Sequence, residues 1–321
     1  MKTITPNTPI RLAFLGCGFA THLHSKTLSG FDNIERYYAS RSLEKAKEYQ
    51  TKYKGHGAFD SYEAAIESPE VDVVLVATPP VSHLELTQKA LQAGKHVIVE
   101  KPPFLNSVDF DTVKKTREET GCQVFVAENY FYKPSLVKLR EALRSGLIGD
   151  ILFIHINALK QQKTGNWRDD ASLSGGGALF EGGIHWINFI ANLGLTIDSV
   201  SGLQPKQNSH IEKSILVTAQ YREGAVGTLQ YSWEVPSLFK GLRISRVFGR
   251  EGSITFESNG IFIFVRGRKK KLIFPGLSDI AGYKAMFRDF FNALRTGESP
   301  QFSLDMAKQD LQLIEKIYTK K

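Results

Sequence analysis

Only two cysteines, Cys17 and Cys122, occur in 321 residues. Each lies beside an apparent strand, so two buried thiols in a reducing compartment are expected rather than a disulfide or a metal pair. No apolar run approaches the length of a membrane span, so no membrane partner is expected. The first nine residues, MKTITPNTP, are polar and lack the apolar core of a secretory signal, which points to a cytoplasmic protein. Internal repeats and low-complexity segments are absent, which sets aside repeat architectures and long disordered tracts. Charge of one sign is not concentrated either. The formal net charge is +8, from 41 Lys+Arg against 33 Asp+Glu, and it is spread along the chain. The one dense basic cluster, Arg266 to Lys271, sits between the apolar runs IFIFV and LIF. That placement reads as a solvated hairpin tip, so no nucleic-acid partner is expected.

What is present is an α/β chain long enough for two domains. The first is organised around Ile10 to His24, IRLAFLGCGFATHLH. A short apolar strand runs into Gly16 and Gly18 and then into a helix-compatible stretch from Phe19 to Leu28. Gly16 permits the sharp turn, and Gly18 lets a pyrophosphate approach the backbone. The N–H groups of the first helical turn, at Phe19 and Ala20, then point at the anion with the helix dipole behind them. Thr21 occupies the third small position, where Gly or Ala is usual.

Strand–helix alternation follows. Ile34 to Ala39 reads as the second strand, and Ser42 caps the helix Leu43 to Tyr53. At the end of that strand an acidic residue would bind the ribose hydroxyls of NAD. This chain has Ser40–Arg41 there. Arg41 either pairs with a 2′-phosphate, which favours NADP slightly, or stacks on adenine or lies in solvent, which leaves NAD open. Val71 to Ala77 is a run suited to a strand buried on both faces. It ends in Thr78–Pro79–Pro80, at the sheet edge where open α/β sheets bind ligands. His83 opens the next helix and either touches the nicotinamide or packs the helix start. The strand His96 to Val99 runs into Glu100–Lys101–Pro102–Pro103. Lys101 faces the same crevice as the glycine corner if the strand is central. It is then either a proton-transfer group or an ordinary surface charge. A helix from Ser107 to Thr120 and a strand from Gln123 to Ala127 complete the sheet.

Asn129, in Glu128–Asn129–Tyr130, lies at the crossover and is grouped with the cofactor-contacting residues. Lys133–Pro134 starts a helix ended by Gly146, and residues 150–159 read as a strand. The polar loop from Lys160 to Ser174 carries Trp167 and Arg168 as a candidate substrate-side wall. Arg168 either holds a substrate carboxylate or phosphate or is an exposed surface charge. The helix-like stretch Ala178 to Leu193 contains Glu181 and His185, four residues apart and so on one face. A carboxylate beside an imidazole can orient it and stabilise its protonated form. Gly182 and Gly183 lie between them, each costing about 1 kcal/mol in a helix interior, so something packs closely there. From Asp198 to Phe274 the period changes to two, with turn signals between short runs, as in an antiparallel meander. Two amphipathic helices, Ala281 to Leu294 and Leu304 to Tyr318, close the chain.

The stretches GCGFATHLH, VATPPVSH, AGKHVIVEKP and GGGALFEGGIHWI, in that order, resemble the Gfo/Idh/MocA oxidoreductases. The resemblance implies an N-terminal Rossmann domain, a doubly wound parallel sheet over residues 1–127. It implies a C-terminal α+β domain with a large, mostly antiparallel sheet over 128–321, the final helix staying there or packing back on the first domain. It maps a catalytic lysine onto Lys101, preceded by Glu100 and followed by an often-cis bond to Pro102. It maps a proton-transferring histidine onto His185. Glu181 stands where Asp is usual, and Asn188 stands where Asp is frequent. The activity implied is hydride transfer between NAD or NADP and a carbinol carbon of a sugar, cyclitol or related polyol. Lys101 and His185 are expected to serve one alcohol oxygen, with Glu181 orienting His185, Trp167 and Arg168 contacting substrate, and no metal. Homodimers or homotetramers formed through the second sheet are also implied. The alternative is a catalytically silent sensor of the same fold.

Overall fold

Short runs of β-branched and aromatic residues form the strands of a first sheet. These are β1 (Ile10–Leu15), β2 (Ile34–Ala39), β3 (Gly57–Phe59), β4 (Val73–Val76), β5 (His96–Val99) and β6 (Val124–Val126). In this computed structural model, which describes residues 2–165, 168, 170–206, 211–236 and 242–319, all six run parallel. Their order is β3-β2-β1-β4-β5-β6. That order is doubly wound and reverses between β1 and β4, where ligands bind such sheets. β4 and β5 are buried throughout, as expected of strands covered on both faces. The connecting helices are α1 (Phe19–Leu28), α2 (Leu43–Tyr53), α3 (Tyr62–Glu67), α4 (His83–Gln92) and α5 (Asp109–Thr120). Ser42 and Ser61 cap α2 and α3 by accepting the N–H groups of Lys45 and Ala64. The short β3 and α3 carry too little periodic pattern to be legible beforehand.

The second sheet follows α6 (Pro134–Arg144). Its strands are β7 (Ile151–Leu159), β8 (Ile197–Leu203), β9 (Ser214–Tyr221), β10 (Val226–Ser232), β11 (Ile244–Gly249), β12 (Gly252–Glu257), β13 (Ile263–Arg266) and β14 (Lys270–Ile273). The order is β14-β13-β12-β11-β7-β10-β9-β8. β7 lies between β11 and β10 and pairs parallel with β10, while every other pair is antiparallel. The sheet is mostly antiparallel as expected, and the early strand β7 divides the meander expected over 198–274 by lying at its centre. Between β7 and β8 come α7 (Ala171–Ser174), a π-helical turn at Leu179–Gly183 and α8 (Ile184–Ala191). α8 packs on the buried face of the sheet, with Phe189 stacked on Phe256. The basic cluster spans the tight β13–β14 turn, where Arg268 pairs with Glu251.

Two last helices, α9 (Tyr283–Thr296) and α10 (Leu304–Thr319), end the chain. It divides into two compact units, Met1–Ala127 with Met286–Lys308, and Glu128–Ala285 with Gln309–Lys321. In the first unit, Phe290 of α9 stacks on Phe125 with ring centroids 4.8 Å apart. Gln123 donates to the Ala293 carbonyl at 2.8 Å. In the second, Tyr318 of α10 donates to Glu212 at 2.9 Å and accepts the Phe180 N–H. Both cysteines are free thiols, with Cys122 buried. Burial pushes the half-buried Cys17 thiol up to about 11.

Candidate active site

In the first unit the loops after β1, β4 and β5 are tied into one edge. Gly16 has φ +110°, and a Cβ there would meet the Ala77 carbonyl oxygen at 2.8 Å. A side chain at Gly18, by contrast, would meet nothing within 4 Å. Gly18 caps α1 without a side-chain acceptor, so the first-turn N–H groups at Phe19 and Ala20 are not engaged by a capping side chain. Phe19 itself is 74% exposed. Thr21 is buried, and its hydroxyl donates to the Gly16 carbonyl at 2.5 Å. The departure from the usual third glycine thus closes the turn from inside. These features suit a pyrophosphate: an uncapped helix start, open space over Gly18 and a backbone only glycine can follow.

His83 is buried and lies between two backbone carbonyls, Thr78 O at 2.8 Å and Pro102 O at 2.9 Å. It therefore ties the Thr78–Pro79–Pro80 loop to the Lys101–Pro102 loop and offers no open surface to a nicotinamide. Burial drives the His83 ring down from its ordinary range, against the opposing pull of the Thr78 and Pro102 carbonyls. Glu100 pairs with buried His24 of α1 and accepts the Lys101 N–H at 3.1 Å. Burial pushes the Glu100 carboxyl up, but His24 and Lys101 outweigh it and hold it below the usual range. Glu100 thus fixes the backbone of Lys101 rather than presenting a carboxylate. The Lys101–Pro102 peptide is cis. At the end of β2, the Ser40 N–H donates to Phe59 O at 3.4 Å and Arg41 is exposed. Tyr62 lies near enough to feel the Arg41 charge, which opposes the dominant effect of burial on its hydroxyl.

In the second unit His185 sits in a built environment that residue spacing did not foretell. Its Nδ1 lies 2.7 and 2.9 Å from the two carboxylate oxygens of Glu128. Glu128 is 2% exposed, caps the short helical turn Asn129–Tyr132, and accepts the Tyr130 N–H at 2.9 Å. A carboxylate only accepts, so the ring proton resides on Nδ1. The Tyr130 ring stacks on the imidazole at 4.4 Å and 12°. The Lys133 ammonium lies 4.3 Å from the Tyr130 ring centroid.

Glu181 does not orient His185. Its carboxylate accepts from Arg168 Nε at 3.0 Å. The physical reason is the π turn: at more than four residues per turn it breaks the i,i+4 register that a plain α-helix would give. Gly182 and Gly183 make that turn possible by lying against Tyr231, whose hydroxyl a Cβ at Gly182 would overlap. The close approach expected there is therefore to protein. Asn188 donates to buried Asp310 of α10 at 2.7 Å. Burial, with the Glu128 charge, pushes the Asp310 carboxyl well up. Asn129 is buried and its amide donates to Ala281 O at 2.6 Å, so it fastens the loop before α9. Trp167 lies outside the described residues. Glu128, Tyr130 and Lys133 were missed as site residues. The signal was their position directly after the last parallel strand, in a charged and aromatic run that the fold buries. Among the described residues no group of three or more His, Cys, Asp or Glu is placed to hold a metal. No helix among them is long and apolar enough to cross a membrane.

The model of the oxidoreductase family GFO_IDH_MocA, NAD-binding Rossmann fold, matches residues 10–128. The model of the GFO/IDH/MocA C-terminal domain matches residues 136–255. An uncharacterized protein of Saccharomyces cerevisiae, YMR315W, is 26% identical over 264 residues, 78% of this chain and 74% of that protein. D-glucoside 3-dehydrogenase of Escherichia coli is 28% identical over 192 residues, 59% of this chain and 55% of that enzyme. Levoglucosan dehydrogenase in complex with NADH has the same fold, with a TM-score of 0.88 at 20% identity, over 97% of this chain and 96% of that one.

Proposed function

We propose hydride transfer between a nicotinamide cofactor and a carbinol carbon of a sugar, cyclitol or related polyol, because the chain belongs to the Gfo/Idh/MocA oxidoreductases. The observation that carries the reading is the Glu128–His185 pair. With the proton fixed on Nδ1, exchange with a substrate hydroxyl would run through Nε2. In the oxidative direction the C–H hydride leaves the carbinol carbon while the hydroxyl proton passes to His185. Glu128 stabilises the imidazolium so formed, a general-base contribution of about 10²- to 10⁴-fold. Lys101 would donate to the same oxygen and stabilise its developing charge. Bound nicotinamide supplies the hydride acceptor. Gly16, Gly18 and the N–H groups at Phe19 and Ala20 would hold its pyrophosphate.

Ser40–Arg41 would meet the adenine ribose. With no carboxylate there to repel a 2′-phosphate, the arrangement favours NADP over NAD. Arg168, held by Glu181, would face the substrate. The departures at Thr21, Glu181 and Asn188 leave the acid–base group in place. Thr21 completes the turn, Glu128 supplies the carboxylate, and Asn188 pairs with Asp310. This supports an enzyme over a silent sensor. On the open face of the second sheet Val226, Phe153 and Phe248 form a cross-strand row of exposed apolar side chains. It would serve a homodimer or homotetramer.

The test is a titration of both cofactors by nicotinamide fluorescence, then a panel of sugars and polyols with the tighter one. Lys101→Ala and His185→Ala should each lower turnover about 100-fold or more with near-normal cofactor affinity. Unchanged turnover in both rejects the assignment. Arg41→Ala should weaken NADP about tenfold and spare NAD.

A further inference from the structure

The environment of His185 holds a second charged group that hydride transfer does not itself require. Lys133, at the start of α6, is 4% exposed and buries its ammonium against the Tyr130 ring. Among the described residues it forms no ion pair with a carboxylate. Burying an unpaired ammonium is costly, and the ring face recovers only part of that cost. A fold that keeps such a group gains something from its charge or its shape. The Tyr130 ring is shared: the imidazole stacks on it at 4.4 Å and the ammonium lies 4.3 Å from its centroid. Glu128 meets His185 at its edge.

We propose that Lys133 is a positioning residue for the acid–base histidine: held on the same Tyr130 ring, its charge opposes the Glu128 carboxylate and keeps His185 able both to take and to give a proton. The proposal rests on the reading of His185 as the acid–base group. Glu128 alone would favour the imidazolium so strongly that the histidine, once protonated, would release its proton slowly. A cation held on the same ring as the imidazole lowers that preference. With the two charges no more than about 9 Å apart at an effective dielectric near 20, the opposition is worth about one pH unit in the titration of His185.

Among the described residues, the other charged groups facing this stack are Glu128, Arg243, Glu257, Asp310 and Glu181. Glu128 and Arg243 act on Tyr130, and Arg243 also lies 5.6 Å from the Trp186 ring. Glu257 is fully buried and accepts from Arg243 N, Asn259 Nδ2, Gly260 N and Ile261 N. Asp310 feels the Glu128 charge, and Glu181 is occupied by Arg168 on the preceding turn. Burial pushes the Lys133 ammonium down to about 8, Arg243 acts in the same direction, and Glu257 and Glu128 oppose. The control therefore operates below about pH 8 and fades above it.

The experiment titrates His185 directly, by NMR of the full chain labelled at histidine, with the His185→Ala spectrum giving the assignment. In Lys133→Met the His185 midpoint should rise by about one unit, whereas Lys133→Arg should keep the wild-type value. In kinetics the acid limb of kcat/KM for oxidation should move up by the same amount in Lys133→Met, and the two profiles should merge above about pH 8. Thermal unfolding checks folding, and Lys133→Gln replaces Lys133→Met if the latter unfolds. A purely structural lysine would lower the melting temperature without moving the midpoint. No midpoint change, a downward change, or an equal change in Lys133→Arg overturns the proposal. Because the midpoint is read without turnover, its failure is distinct from that of the functional reading, which falls if Lys101→Ala and His185→Ala both keep wild-type turnover.

Discussion

Replacing Glu128 by Gln separates the carboxylate found beside His185 from the one its sequence neighbours suggested. The substitution keeps the volume and one acceptor for the Nδ1 proton and the Tyr130 N–H, and removes only the charge. A hydrogen bond to an ionised partner contributes about 1.5–3 kcal/mol and a neutral one about 0.5–1.5 kcal/mol, a difference of about 1–2 kcal/mol. Glu128 is 2% exposed, so solvent screens little of it. The imidazolium loses that stabilisation, so the His185 midpoint falls by about one unit and the acid limb of kcat/KM moves to lower pH. Turnover in the oxidative direction falls about 5- to 30-fold, since each 1.4 kcal/mol is tenfold. Cofactor affinity, measured by nicotinamide fluorescence, stays near wild type. Glu181→Gln, in contrast, loosens Arg168 and should raise KM with a small change in kcat. If Glu128→Gln keeps full turnover and Glu181→Gln loses it, the assignment of the orienting carboxylate is wrong.

Three further outcomes follow from the same geometry. Gly16→Ala forces an alanine to φ +110° with its Cβ against the Ala77 carbonyl. It should cost about 1–3 kcal/mol of stability and weaken cofactor binding tenfold or more; wild-type affinity would mean the corner does not hold the pyrophosphate. His96 is 5% exposed, and its Nδ1 accepts the Gln123 N–H at 3.0 Å, a bond open only to the uncharged ring. Burial lowers it from 6.5 to about 4 in the folded state, so the unfolded chain binds the proton more readily. Stability is then complete above pH 6.5 and declines as pH falls toward 4, by up to about 3 kcal/mol. Urea unfolding across that window should show the slope in wild type and lose it in His96→Gln, and equal slopes would refute the account. Phe153→Glu, on the open face of the second sheet, should shift sedimentation toward monomer; an unchanged oligomer would place the interface elsewhere.

What the chain's local order determined is the set of features that depend on near neighbours. Gly16 and Gly18 between an apolar strand and a helix prescribe a turn whatever surrounds it, and β-branched runs such as Val73–Val76 prescribe buried parallel strands. Ser42 announces a helix start because its oxygen reaches a backbone N–H three residues on. The proline-rich ends of β4 and β5 show where two strands stop. Tertiary structure decided the partners. Glu128 and His185 are 57 residues apart, and their bond exists because the turn after β6 and the start of α8 are folded side by side. Glu181, only four residues from His185, was lost to it through one π turn that no periodicity reveals. β7 took the centre of the second sheet because strand pairing is settled by which edges meet in space, not by order along the chain. Lys133 likewise looked like a helix-start residue until burial set it against Tyr130. Turn chemistry and period act over a few residues and survive in one dimension, whereas charge, stacking and burial act through space.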